Sequence, residues 1–167
     1  MSTLATLAEA LEDSSVGSTI AGSRLLFPII EGTHLISLTL AVGLIVLTDL
    51  RLLGIFLRHV PLENLLRQLR PYVLTGILVV FISGALLVWA EAAEVIFTPS
   101  FPIKMILIGV GGINALYFEF VIAKSPDVRA DPAVLPRSAQ AAGYVSLSVW
   151  ILVIICGRLI AYVTHWP

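Results

Sequence analysis

Charge is scarce in this 167-residue chain: Asp, Glu, Lys and Arg together make 13% of it, about half the share a soluble domain usually carries. Cysteine occurs once, as Cys156, which excludes a disulfide framework and any CxxC metal motif. Histidine occurs three times, too few for the four axial positions of a two-haem cytochrome. No HExxH zinc sequence, phosphate-binding glycine loop or Ser/His/Asp set can be read, so no independent catalytic activity is expected. A net charge of -1 and the lack of a basic, aromatic-rich stripe argue against a nucleic-acid partner. Met1–Asp13 carries Glu9, Glu12 and Asp13 and no Lys or Arg, the reverse of a secretory signal peptide's basic start.

What is present is apolar. Hydrophobic residues make 58% of the chain and the mean hydropathy is +1.00. They gather in four stretches, 27–50, 72–92, 102–123 and 141–163. Each is long enough to cross a bilayer core, which takes about 20 helical residues at about 1.5 Å rise. The expected fold is all-α: an integral membrane up-down four-helix bundle forming one domain over 1–167.

The connections are short. Leu4, Leu7 and Leu11 recur at helical spacing, which predicts an amphipathic surface helix over about 3–13. Ser14–Ser23 reads as a Ser/Gly-rich turn region. Pro61 reads as the first residue of a short interfacial helix with Leu62, Leu65, Leu66 and Leu69 on one face, suited to anionic lipid or to a docking partner. Ser125–Arg137, with three prolines, reads as an irregular connection.

Basic residues set the expected orientation. Arg51, Arg58, Arg67 and Arg70 follow span one, and Lys124, Arg129 and Arg137 follow span three; Glu91 and Glu94 lie between spans two and three. The positive-inside rule places both basic connections in the cytoplasm, with both termini on the outer, periplasmic side. Trp89, Tyr162 and Trp166 fall near the outer boundaries, where interface aromatics belong.

Lipid gives helices no hydrophobic reason to associate, so small residues decide close approach. Gly109, Gly111, Gly112 and Ala115 in span three, with Gly109, Gly112 and Ala115 along one face, Gly76, Ser83 and Gly84 in span two and Gly43 in span one are the expected contacts. Spans two and three, joined by a short loop, are expected to be antiparallel neighbours. The same glycines could admit a flat cofactor.

Ionisable residues inside the spans mark the candidate site. Glu31 and His34 project from one face of span one, and Arg158, near the end of span four, shares their depth, about 6–10 Å below the outer boundary. Pairing Glu31 with Arg158 beside His34 is the least costly arrangement. Three readings stay open. The cluster is a structural bridge; or it holds haem b or copper; or it holds a quinone or lipid headgroup through His34 and Arg158. For haem, His34 is the axial ligand, Met105 and His165 are the second-ligand candidates, and Arg158 or Arg24 meets propionates. For copper, His34, Cys156 and Met105 form the soft ligand set. Nearer the cytoplasm, Asp49, Arg51, Glu119 and Arg70 read as structural ion pairs fixing helix ends, and Asn114 lies closer to mid-membrane.

Phe27-Pro28-Ile29-Ile30-Glu31-Gly32-Thr33-His34, then Gly43 and Asp49-Leu50-Arg51-Leu52-Leu53-Gly54, resemble a bacterial family of four-helix membrane proteins of unassigned function. The likeness continues through Arg70-Pro71-Tyr72, Ser83-Gly84, Phe101 with Lys104, and Gly112-Ile113-Asn114-Ala115 with Phe118. It implies a four-helix architecture in the bacterial inner membrane, and no activity. A first-span histidine with small-residue spans is also distantly similar to copper-resistance D-type membrane proteins and b-type cytochrome subunits.

The expected function is therefore an accessory or binding subunit of the membrane, with an outer polar site able to carry a redox centre. Its alternative is a purely structural subunit of a larger membrane complex, joined to other subunits or to itself. A small transporter fits less well, because spans two and four offer few mid-membrane polar groups and no internal repeat appears.

Overall fold

The computed structural model describes residues 3–125, 128 and 135–164, apart from the side chains of 163 and 164. Every element in it is helical: α1 (Thr3–Glu12), α2 (Ser15–Gly22), α3 (Leu26–Leu52), α4 (Leu62–Ala90), α5 (Ala92–Val95), α6 (Ser100–Tyr117) and α7 (Arg137–Thr164). A π-helical turn, Phe118–Ile122, extends α6. Four of these helices are long and apolar enough to cross a membrane, and only 11–33% of each apolar window is buried inside the protein. Most of that surface is therefore open to the outside of the protein, as suits helices whose backbone polar groups are bonded internally and can sit in lipid. The protein is a multi-pass membrane protein.

Two expectations about the connections fail. Ser14–Ser23 is no turn region. The Ser14 hydroxyl accepts from Gly17 N at 3.3 Å and caps α2, whose Ile20 is buried. Nor is there a separate interfacial helix after Pro61. Pro61 is the N-cap, and α4 runs unbroken from Leu62 through Pro71 to Ala90. Pro71 has no N–H to offer the Arg67 carbonyl one turn back, a loss that a membrane helix tolerates; one turn on, Thr75 Oγ1 donates to the Pro71 carbonyl at 2.8 Å. Span one ends where Gly54 adopts φ +68°, the left-handed turn that halts a helix and favours glycine.

α1 and α2 pack on the far ends of α4 and α5. Trp89 Nε1 donates to the Leu11 carbonyl at 3.1 Å and to Ser14 Oγ at 3.0 Å, and Ala93 N donates to Glu12 Oε2 at 3.0 Å. This is the terminal end of the bundle. The opposite, basic end carries Arg51, Arg67, Arg70 and Lys124.

Helix order also departs from expectation. α3 packs chiefly on α4, α6 on α7, and α3 on α7, so the three close seams omit α4–α6. Spans two and three are thus not the main neighbours. The glycines explain why. A Cβ on Gly76 would lie 3.0 Å from Ala41 Cβ, one on Gly111 3.2 Å from Val149 Cγ1, and one on Gly143 3.1 Å from Leu52 Cβ. Those close approaches belong to the three tight seams. Gly43, Gly109 and Gly112, expected as contacts, meet nothing within 4 Å. Across the α4–α6 seam the helices are tied instead by Arg70 and Glu119.

Candidate functional site

His34, eight residues into α3, turns toward α4. Its Nδ1 lies 3.0 Å from Ser83 Oγ and 3.1 Å from the Val80 carbonyl. The Ser83 hydroxyl donates to the Val79 carbonyl at 2.6 Å, so its proton is committed and its lone pairs accept. A carbonyl only accepts. A neutral imidazole that donates from Nδ1 to the Val80 carbonyl presents the lone pair of Nε2. No hydrogen bond to Nε2 occurs among the described residues. Gly84 makes room for the ring: a Cβ there would stand 3.0 Å from His34 Cε1.

Lys104, one turn into α6, enters the same interior from the other helix pair. Its Nζ lies 3.3 Å from the point a Cβ on Gly157 would occupy. It is within electrostatic reach of both His34 and the buried Cys156. No carboxylate pairs with it among the described residues. Counted from the helix ends, His34, Ser83 and Cys156 lie about 10–12 Å in, and the long Lys104 side chain starts from about 6 Å. All four spans thus contribute at one level: an imidazole, a hydroxyl, an ammonium and a thiol. Beside them an apolar groove of about 220 Å³ opens between α3 and α4, walled by Ile30, Val79 and Leu86, and reaches Ser83.

The expected Glu31–Arg158 pair does not form. Both side chains are exposed on their helices, and no ion pair joins them among the described residues. Each lies within about two turns of a helix end, so each can extend to the headgroup layer without a partner. Met105 is exposed at 47%. His165, with Trp166, lies outside the described residues, and no three His, Cys, Asp or Glu side chains among those described form a metal-binding group.

At the basic end Arg70 donates to Glu119, with side chains 48% and 33% exposed. Asp49 and Arg51 are buried on α3. The Ser146 hydroxyl donates to Asp49, whose Oδ2 has no partner among the described residues. Arg51 Nε donates to the Val60 carbonyl at 2.9 Å, holding the connection against the helix end. Asn114 Nδ2 donates to the Ala142 carbonyl at 3.0 Å, a clasp between α6 and α7. His59 is exposed in the connection after α3.

The spans, their polar residues and their connections match one protein-family model over residues 7–163. The chain belongs to that family, DUF6644, a family of unknown function. No curated protein and no solved structure matches this DUF6644 chain.

Sequence reasoning singled out His34 and expected Glu31 and Arg158 beside it; the structure sets Ser83 there instead. Ser83 and Gly84 are expected from the sequence as packing residues, and Lys104 is not among the candidate site residues. The depth count applied to Glu31 and Arg158 would have found Lys104, since it stands four residues inside α6. The roles of Gly84 and Gly157, which leave space for the imidazole and the ammonium, have no signature in a single sequence.

Proposed function

We propose that the protein is a small binding subunit of the bacterial inner membrane, both termini periplasmic, whose ligand sits at the terminal-end cluster of His34, Ser83, Lys104 and Cys156. One observation carries this reading: His34 Nδ1 is fixed as a donor to a backbone carbonyl while Nε2 keeps its lone pair. That second-sphere bond is what orients imidazoles that ligate metals. Lys104 adds a positive charge without a carboxylate among the described residues, and an ammonium inside a span calls for an anionic partner.

Haem b suits both groups: His34 would ligate its iron and Lys104 would balance the charge of its carboxylates. When bound, haem would supply one-electron transfer; the chain's own residues orient it and balance its charge. Copper fits less well. The ammonium would repel the ion beside Cys156, and Met105 is exposed.

The test is a reduced-minus-oxidised absorption spectrum and metal analysis of protein purified in mild detergent. A Soret band lost in His34→Ala, and retained but shifted in potential in Lys104→Gln, is the expected result. Colourless, metal-free protein with intact helicity refutes it.

One observation favours the structural-subunit alternative. Gly109, Gly112 and Ala115 line an open face of α6, the kind of surface on which membrane helices associate. Under that reading a second copy or another subunit covers α6, and native mass spectrometry recovers the assembly. Gly112→Leu then dissociates it.

A further inference from the structure

A second groove lies at the basic end, on the α4–α6 seam, away from the His34 cluster and independent of the haem reading. Its volume is about 470 Å³. One wall is the start of α4, with Leu62, Leu66, Arg67 and Arg70; the other is the end of α6, with Ala123 and Lys124. Glu63 and Glu119 also line it, but Glu119 is engaged by Arg70.

Among the described residues, two cations keep unspent donors there. Arg67 makes one long bond, 3.4 Å to Asn64 Oδ1, and is otherwise exposed. Lys124 Nζ stands 5.1 Å from the Phe120 ring centroid. The π-turn sets this wall: Ala123 N bonds the Phe118 carbonyl at 2.8 Å, five residues back. That extra residue rotates Ala123 and Lys124 relative to a continuing α-helix, and such turns recur at functional sites. Cationic donors beside aliphatic walls, at the end of the apolar spans, match a phosphate carried on an apolar body.

We propose that this groove binds a phosphate oxyanion, supplied by the headgroup of an anionic phospholipid. Arg67 and Lys124 hold the oxygens, while Leu62, Leu66 and Ala123 contact the glycerol and upper acyl chain. Full-length protein in zwitterionic detergent is titrated with phosphatidylglycerol, phosphatidylcholine or inorganic phosphate, and bound ligand is counted by native mass spectrometry. At about fivefold per basic side chain, Arg67→Gln/Lys124→Gln should bind phosphatidylglycerol about 25-fold more weakly than the parent. Arg58→Gln, an exposed arginine outside the groove, should bind as the parent does, and Arg67→Lys/Lys124→Arg should retain most of the affinity. Circular dichroism verifies folding, and Lys124→Gln alone gives the fivefold version if the double variant does not fold. Inorganic phosphate that binds alone, with the same loss in the variants, assigns the site to free phosphate. Equal affinity for the two lipids without phosphate binding, or equal loss in Arg58→Gln, overturns the proposal.

Discussion

Gly84→Ala tests the seat of His34 directly. The added methyl would stand 3.0 Å from His34 Cε1 and 3.5 Å from Nδ1, so the ring must retreat by a few tenths of an ångström. Retreat stretches the bonds to the Val80 carbonyl and Ser83 Oγ. Overpacking costs about 1–3 kcal/mol, and weakening the hydrogen bonds costs up to about 1 kcal/mol more. Against this, alanine is favoured over glycine inside a helix by about 1 kcal/mol. The balance is a loss of about 2 kcal/mol. Gly43 is the internal control: a Cβ there meets nothing within 4 Å, so Gly43→Ala shows only the helix gain of up to about 1 kcal/mol. The two variants should differ by about 3 kcal/mol, or roughly 6–12 °C in Tm for a chain of this length. Thermal unfolding in detergent, followed by circular dichroism, reads the difference. His34→Ala/Gly84→Ala should recover the overpacking part, giving a coupling energy of about 1–2 kcal/mol in the double-mutant cycle. A Gly84→Ala protein that melts at or above Gly43→Ala refutes the placement of the imidazole.

Two further substitutions probe the basic end. Ser146→Ala removes a hydrogen bond from buried Asp49, whose Oδ2 already lacks a partner among the described residues; the expected loss is about 1–3 kcal/mol, read by the same melt. Glu119→Gln breaks the tie to Arg70, but both side chains are partly exposed, so the cost should stay below about 1 kcal/mol and vanish in high salt.

Much of the fold was legible because a bilayer imposes one requirement, long apolar helices, and the chain can meet it only by displaying them. The four spans and the surface helix α1 follow from that. Position along each helix was legible too: that of His34, Asn114, Glu119 and the boundary charges follows from counting residues at fixed rise. The partnerships were harder. Arg70 and Glu119 stood with Asp49 and Arg51 as ion-pair residues with no partners assigned, and Glu31–Arg158 was preferred because it cancelled two charges. Both members of that second pair lie close enough to a helix end to reach water, which removes the need for them to meet.

By composition and spacing the sequence determined four helices long and apolar enough to cross a membrane, and where along each of them the polar groups stand. Only the tertiary structure decided which groups face one another: His34 on Ser83, Lys104 against Gly157, Gly111 rather than Gly112 at a tight seam. In water a helix shows its inner face by its apolar stripe. Here lipid is as apolar as the interior, so rotation about each helix axis and the order of neighbours are set by fine steric fit, which residue type alone does not record.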